Sequence, residues 1–273
     1  MARKFELQGH RGARGLFAEN TVQGFVAALA YGLDSIELDV AVTADGVAVV
    51  VHDPCLHPDL TRGPDGAWLS GPGPAVVTLS LAEVRRFDVG RVRPGSAKAL
   101  AHQLQQAFDG AGIPTLAEVI AATAASGVRL DVELKTEPDE PELTVAPEVM
   151  ADAVVRCFTE AGAVSRLAMR SFDWRGLVYV RARYPSVPLA WLTGPRQSAA
   201  TPAEVAAAAV GCPFQPTWAP FHEKLDRSML DAAHGVGLRV VPWTVNAPED
   251  IARLIEWGVD GVCTDRPDLV SRP

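Results

Sequence analysis

Cysteine is scarce. Cys55, Cys157, Cys212 and Cys263 are scattered over 273 residues and form no C-x-x-C pair, so zinc-ribbon and thioredoxin-type chemistry lack the spacing they need. Single buried thiols are the expectation, with disulfide connectivity left open because spacing alone does not fix it. Basic residues are also in deficit: 25 Lys and Arg face 33 Asp and Glu, for a formal charge of −8. A non-specific nucleic-acid binder shows the opposite sign, and an anionic membrane surface repels such a chain. No apolar run approaches a membrane span of roughly 20 residues. The opening MARKFELQGH has basic residues but no apolar stretch of the secretory kind. These absences point to a cytoplasmic protein, or to a periplasmic or secreted one if a leader has been removed. They also set aside nucleic acid and stable membrane association as partners. A G-x-G-x-x-G turn following a strand is missing too, which weakens a dinucleotide-binding fold.

What is present is alternation. The chain is 48% hydrophobic and 21% charged, a balance that suits a globular core. KFELQ reads as a strand, followed by a helix over 21–31 that stops at Gly32. SIELDV and VAVVVHD read as strands joined by TADG, whose Asp45–Gly46 is a turn signal. From Pro54 to Pro74 the composition is rich in Gly and Pro. A short helix over 79–87 and another irregular stretch lead to Ile113. Thr115 and Glu118 match a capping box for a helix ending near Gly127. Strand RLDVELK, a helix over 147–161, strand RLAMRSF, a helix over 173–184, strand VPLAWL and an Ala-rich helix over 202–210 follow. The series closes with a weak strand PFQPTW, a helix over 226–236, strand LRVVPWTV, helix PEDIARLIEWG and strand GVCTD. Repeated strand–helix units at this length favour an α/β fold of the TIM (β/α)8 type over a doubly wound sheet. The expectation is one catalytic barrel over 1–273, with residues 54–113 as an insertion after an early strand.

A barrel places its chemistry where strands end, at the C-terminal rim. His10 ends the first strand reading, Glu37 and Asp39 the second, His52 the third, and Glu133 and Lys135 the RLDVELK strand. Ser171, Trp243 and Asp265 take equivalent places later. Polar strand ends are common, but four in succession carrying His, Glu, Asp or Lys are not explained by turns alone. Strand residues two apart share a face. Glu37 and Asp39 therefore lie opposite Ile36 and Leu38, and Glu133 and Lys135 lie opposite Val132 and Leu134. If the apolar set packs under the helices, three carboxylates converge inside the rim, where they repel and raise one another's pKa. One hard divalent cation, Mg or Ca, relieves this through all-oxygen ligation. The competing reading is a salt-bridge network with Lys135, Arg11 or Arg14. His10 and His52 beside such a site invite an acid/base pair, and Arg11 and Lys135 supply the positive charge that a phosphate needs. Asp53 is placed to orient a loop or a histidine. Asp131 lies deeper on the Glu133 face without an assigned role. His57, His102, His222 and His234 read as structural.

The motifs GHRG (9–12), ENT (19–21), IELDV (36–40), T-x-DG (43–46), HD (52–53), VELK (132–135), SFD (171–173), PWTVN (242–246) and TDRP (264–267) resemble, in order, those of the glycerophosphodiester phosphodiesterase family. The resemblance spans almost the whole chain. It implies a TIM barrel with a small insertion, and a metal-dependent hydrolase that splits a small-molecule glycerophosphodiester into glycerol 3-phosphate and an alcohol. By position it implies Glu37, Asp39 and Glu133 as metal ligands, His10 and His52 as general base and acid, Arg11 and Lys135 as phosphate ligands, and Trp243 as a substrate-lining aromatic. It also implies attack of the glycerol 2-hydroxyl on phosphorus, with water opening the cyclic phosphate and the histidines exchanging roles. Two departures stand out. Ala18 precedes ENT where Pro is frequent, and HDPCLHPDLTRGPDGAWL replaces a shorter loop, which bears on the alcohol preference. Competing readings are a phospholipase D-like lyase that stops at the cyclic phosphate, and a barrel that binds a phosphorylated ligand without turnover.

Overall fold

The structure, a computed structural model, describes residues 5–195 and 200–272. Its strands are β1 (Glu6–Gly9), β2 (Ser35–Val42), β3 (Ala48–Val50), β4 (Arg129–Leu134), β5 (Leu167–Ser171), β6 (Leu189–Thr193), β7 (Thr217–Pro220), β8 (Arg239–Val240) and β9 (Gly261–Thr264). All but β3 lie parallel, in the order β8-β7-β6-β5-β4-β2-β1-β9. Backbone bonds of 2.9 Å from Asp260 N to Val240 O, from Cys263 N to Pro242 O and from Val245 N to Cys263 O tie the segment after β8 to β9. The sheet thus nearly closes into an eight-stranded barrel. Lys4, the first residue of the KFELQ reading, lies outside the described residues.

Helices α1 (Val22–Ala28), α2 (Leu81–Val84), α3 (Ala97–Ala101), α4 (Leu116–Ala122), α5 (Pro147–Glu160), α6 (Trp174–Arg183), α7 (Pro202–Ala208), α8 (Arg227–Gly235) and α9 (Pro248–Trp257) fill the connections. Their starts follow from local chemistry. Thr21 caps α1 by accepting from Gly24 N, and the Thr115–Glu118 capping box forms as its spacing predicts. The first helix ends at Gly32, whose φ of 66° closes a final 3-10 turn that few other residues would tolerate.

Alternation along β2 and β4 sorts the residues. Ile36, Leu38, Val40, Leu130 and Val132 are fully buried in the apolar layer shared with Val154 and Phe158 of α5, while Glu37, Asp39, Asp131 and Glu133 share the opposite parity. Leu38→Ala removes a fully buried side chain from that layer. It is expected to lower stability by about 2–5 kcal/mol, read as a lower urea midpoint at unchanged activity per folded molecule.

Three sequence readings need adjustment. VAVVVHD is not a barrel stave: β3 runs antiparallel to β2, pairing Val40 with Val50 and Val42 with Ala48. The turn between them is too short for a parallel crossover, which needs a dozen or more residues. PFQPTW moves downstream to Thr217–Pro220, because Pro213 and Pro216 donate no ladder bonds. Helix α3, capped by Ser96 accepting from Ala99 N, lies in a stretch read as irregular, where Pro94 and Gly95 mask it. The segment between β3 and α4 has its own small apolar cluster: Leu56, Val76, Val84 and Ile113 pack with Ala41 and Val49 of the β2–β3 hairpin. Arg62 ties this segment together through Asp88 and Asp109, each at 2.6 Å.

Candidate active site

The paired strands β2 and β4 bring Glu37, Asp39 and Glu133 together: one carboxylate oxygen from each lies within 4.8 Å of the others. All three are buried. The second oxygen of Asp39, Oδ1, has no hydrogen-bond partner, although Lys135 Nζ stands 4.0 Å away. A buried carboxylate oxygen without a donor is costly, and an all-oxygen donor set of this size suits a hard dication. The competing salt-bridge reading is present in the same place. Arg11 Nε lies 3.2 Å from Asp39 Oδ2, and Lys135 Nζ donates to Glu133 Oε1 at 2.8 Å. The ion pairs of the competing reading are therefore present at the edge of the same cluster.

The loop after β1 is shaped around this cluster. Arg11 N donates to Glu37 Oε2 at 2.9 Å, and Arg11 Nη1 donates to Glu19 Oε1 at 2.8 Å. Asn20 Nδ2 donates to Asp39 Oδ2 at 2.9 Å. Arg11 and Asn20 both have positive φ, 50° and 54°, and Asn20 N bonds to Arg11 O at 3.2 Å. Left-handed non-glycine residues are rare and gather where geometry is constrained. Here they aim the guanidinium and the amide at one carboxylate set.

Both histidines are oriented through Nδ1. His10 Nδ1 donates to Asp265 Oδ1 at 2.6 Å, and Asp265 also accepts from Arg14 Nε and Asn246 Nδ2, each at 2.8 Å. That leaves His10 Nε2 facing the cluster, 3.9 Å from Glu37 Oε2. His52 Nδ1 donates to Asp53 Oδ1 at 2.6 Å, and its Nε2 lies 3.2 Å from Lys135 Nζ. His52 follows the antiparallel β3 rather than a barrel stave, yet the hairpin carries it over the end of β2 and into the same cavity.

Burial dominates the electrostatics. It drives the His10 imidazole down to about 4, helped by Arg14 and opposed by Asp265, so the ring is neutral at pH 7 and able to accept a proton. Burial and then Asp39 raise Glu37 to about 8. Asp39 goes the other way: burial opposes its charge, but Arg11, His52 and Lys135 hold it well below the usual carboxylate range. Within the cluster the carboxylates are thus pushed apart, one kept charged and one inclined to hold a proton.

The cavity at this end, about 370 Å³ of empty space, is lined by His10, Arg11, Glu37, His52, Glu133, Arg170, Phe172, Leu192, Trp243 and Cys263. Trp243 stands edge-on to Phe172, with ring centres 5.2 Å apart, and its Nε1 donates to Ala219 O at 3.0 Å. Lys135 Nζ sits 5.9 Å from the Phe172 ring centre. Every residue singled out from sequence as a metal, phosphate or acid/base group is therefore brought to one place. Ser171 is not: its hydroxyl donates to Leu134 O, and it accepts from Asp173 N, so it ties β5 to β4. Asp131 is also elsewhere, held deeper in the barrel by Gln8 and Arg129. Sequence reasoning missed Arg170 and Phe172 as cavity-lining residues, although their shared parity on RLAMRSF was the signal. It gave no roles to Glu19 and Asn20, which sit in a quoted motif.

The model of the glycerophosphoryl diester phosphodiesterase family matches residues 10–269. A crystal structure from Silicibacter pomeroyi DSS-3, described as a candidate glycerophosphoryl diester phosphodiesterase, is similar over 98% of this chain and 92% of its own, with a TM-score of 0.90 and 35% identity. A Bacillus subtilis protein named as a candidate glycerophosphodiester phosphodiesterase is 30% identical over 267 residues, covering 96% of this chain and 95% of its own. An Oleispira antarctica phosphodiesterase, solved in complex with the product sn-glycerol-3-phosphate, shares the fold at a TM-score of 0.75 and 23% identity over 97% and 94% of the two chains. The chain is an enzyme that belongs to the glycerophosphoryl diester phosphodiesterase family.

Proposed function

We propose that this chain hydrolyses glycerophosphodiesters to glycerol 3-phosphate and an alcohol, using one divalent cation held by Glu37, Asp39 and Glu133 and proton transfer by His10 and His52. The single observation that carries the reading is the meeting of those three carboxylates between two imidazoles that both point their Nε2 atoms inward. A bound Mg or Ca ion supplies Lewis-acid stabilisation of the charge that grows on phosphorus-bound oxygen. Arg11 and Lys135 neutralise the remaining phosphate charge. Neutral His10 takes the proton of the glycerol 2-hydroxyl as it attacks phosphorus, and His52 gives a proton to the departing alcohol. In the second step His52 deprotonates water, and His10 returns its proton to the 2-oxygen. Trp243 and Phe172 are the aromatic walls against which the substrate lies.

Asp265 and Asp53 are the positioning groups for this exchange. They hold Nδ1 of each ring so that Nε2 is the atom that exchanges protons, and they stabilise the imidazolium in which His52 starts and into which His10 passes. Asp265→Asn is expected to lower kcat by about 10²-fold or more with little change in KM, because Asn holds the ring in place but favours the wrong tautomer. A kcat near that of the wild type rejects the positioning role.

The decisive experiment is a panel of glycerophosphodiesters assayed after chelation and again after addition of Mg or Ca. Loss of glycerol 3-phosphate release on chelation, with return on add-back, is the expected result. Full activity without a cation rejects the ion's role. A cyclic phosphate that persists in the phosphorus NMR spectrum assigns the lyase reaction instead. Among the described residues no helix is long and apolar enough to cross a membrane.

A further inference from the structure

Beneath the site a connected column of polar side chains runs through the lumen, where barrels of this kind usually carry branched apolar layers. At the opposite mouth, Arg239 Nη2 donates to Glu6 Oε2 at 2.8 Å, Arg129 contacts Glu6, and Arg129 Nε donates to Asp131 Oδ1 at 2.8 Å. Gln8 Nε2 is shared by Glu6 Oε1 and Asp131 Oδ2, both at 2.6 Å. Gln8 Oε1 then accepts from Arg170 Nη1 at 3.0 Å. The column ends there, because Arg170 lines the catalytic cavity.

Arg170 is unlike the other cations of the site. Arg11 and Lys135 each sit against a carboxylate, and Arg14 sits against Asp265. Arg170 is 3% exposed and its Nε has no partner. Among the described residues no carboxylate pairs with it directly. Burial opposes its charge, while Cys263, Glu37, Asp131 and Glu133 favour it and keep it protonated. A buried charge without its own counter-ion is expensive, and its electrostatic partners here are the carboxylates of the cation site as a group. A dication entering that site enters against Arg170. An anionic phosphate entering with it relieves the excess.

We infer that Arg170 acts on the two ligands of the site in opposite senses, weakening the ion and tightening a phosphate-bearing ligand. The inference rests on the reading of Glu37, Asp39 and Glu133 as the cation site. Arg170 acts through space and is held in place by Gln8. A fixed charge acts on each ligand separately, so its removal shifts the two affinities in opposite directions.

The test is calorimetric titration at pH 9 of Mg into the whole chain, and of sn-glycerol 3-phosphate into the chain saturated with Mg. Arg170→Gln keeps a donor for Gln8 but loses the charge. It is expected to bind Mg alone about fivefold more tightly, and sn-glycerol 3-phosphate about fivefold more weakly. Arg170→Lys, which keeps the charge, should stay within about twofold of wild type in both, and Arg170→Met serves as a second neutral variant should Arg170→Gln not fold. The two readouts move in opposite directions, whereas a merely structural defect weakens both. Mg binding alone that is unchanged or weaker in Arg170→Gln, or sn-glycerol 3-phosphate binding that is unchanged or tighter, overturns the inference and leaves the cation site standing. A wild type that binds no Mg overturns both.

Discussion

His10→Ala is expected to lower kcat by about 10²–10⁴-fold while leaving Mg affinity and the melting temperature close to wild type. His10 contributes no oxygen to the carboxylate cluster, and its loss leaves Asp265 with two donors, Arg14 and Asn246. The fold and the cation site therefore persist while the proton acceptor is gone. His52→Ala is expected to fall by a similar factor with the natural alcohols. The two variants part when the leaving group changes. A p-nitrophenyl ester departs without a proton, so release of p-nitrophenol in the first step should be largely rescued in His52→Ala, with the cyclic phosphate left to accumulate, and not rescued in His10→Ala. Near-normal rates in either variant with an unactivated alcohol refute the acid/base assignment, and equal rescue of both refutes the division of roles. The lowered His10 pKa, about 4, adds a sign to the pH profile. A base works when neutral, so on His10's account kcat/KM is sustained well below the usual imidazole range.

Much of this site was legible because strand parity is a strict code. The letters IELDV and LDVEL state that one face is apolar and the other acidic, and parallel pairing of β2 with β4 sets Asp39 opposite Glu133. The helix caps were equally readable, since Thr115 and Glu118 close their box within four residues. What failed was non-local or conformational. The hairpin of β3 follows from the length of its turn, yet the reading gave His52 to a stave, because a strand's direction is set by its partner rather than by its own letters. The left-handed backbone of Arg11 and Asn20 leaves no trace in residue types that seldom adopt it. Arg170 was hidden by context: one charged residue in RLAMRSF looks like a solvated strand end until Gln8, 162 positions away in sequence, is seen to hold it. Ser171 does end its strand as read, and its bond to Leu134 O shows what the letters do not, that it joins two strands.

Removing the cation should expose the tension stored among the carboxylates. Glu37 is raised to about 8, first by burial and then by Asp39, against an ordinary value of 4.5. Between those two pH values the ion-free folded chain holds a proton that the unfolded chain releases. Stability therefore falls as pH rises through that window. Asp39 has the opposite shift, so its contribution is already complete within the window and is lost only at lower pH. His10, held down to about 4, works the other way up to its ordinary 6.5, so the fall is read above that value: chelated protein is expected to lose about 2 kcal/mol between pH 6.5 and pH 8, seen as a falling melting temperature. Added Mg should recover more of it at pH 8 than at pH 6, because at the lower pH the ion must first displace the proton. Glu37→Gln supplies the control. It removes the buried charge, so the ion-free melting temperature at pH 8 rises and its pH slope flattens. Mg affinity then drops by more than the roughly 10–100-fold that outer hydrogen-bond partners are worth, and turnover goes with it. A chelated wild type whose melting temperature stays level from pH 6.5 to pH 8 contradicts the raised Glu37. A Glu37→Gln variant that keeps its Mg affinity removes Glu37 from the cation site.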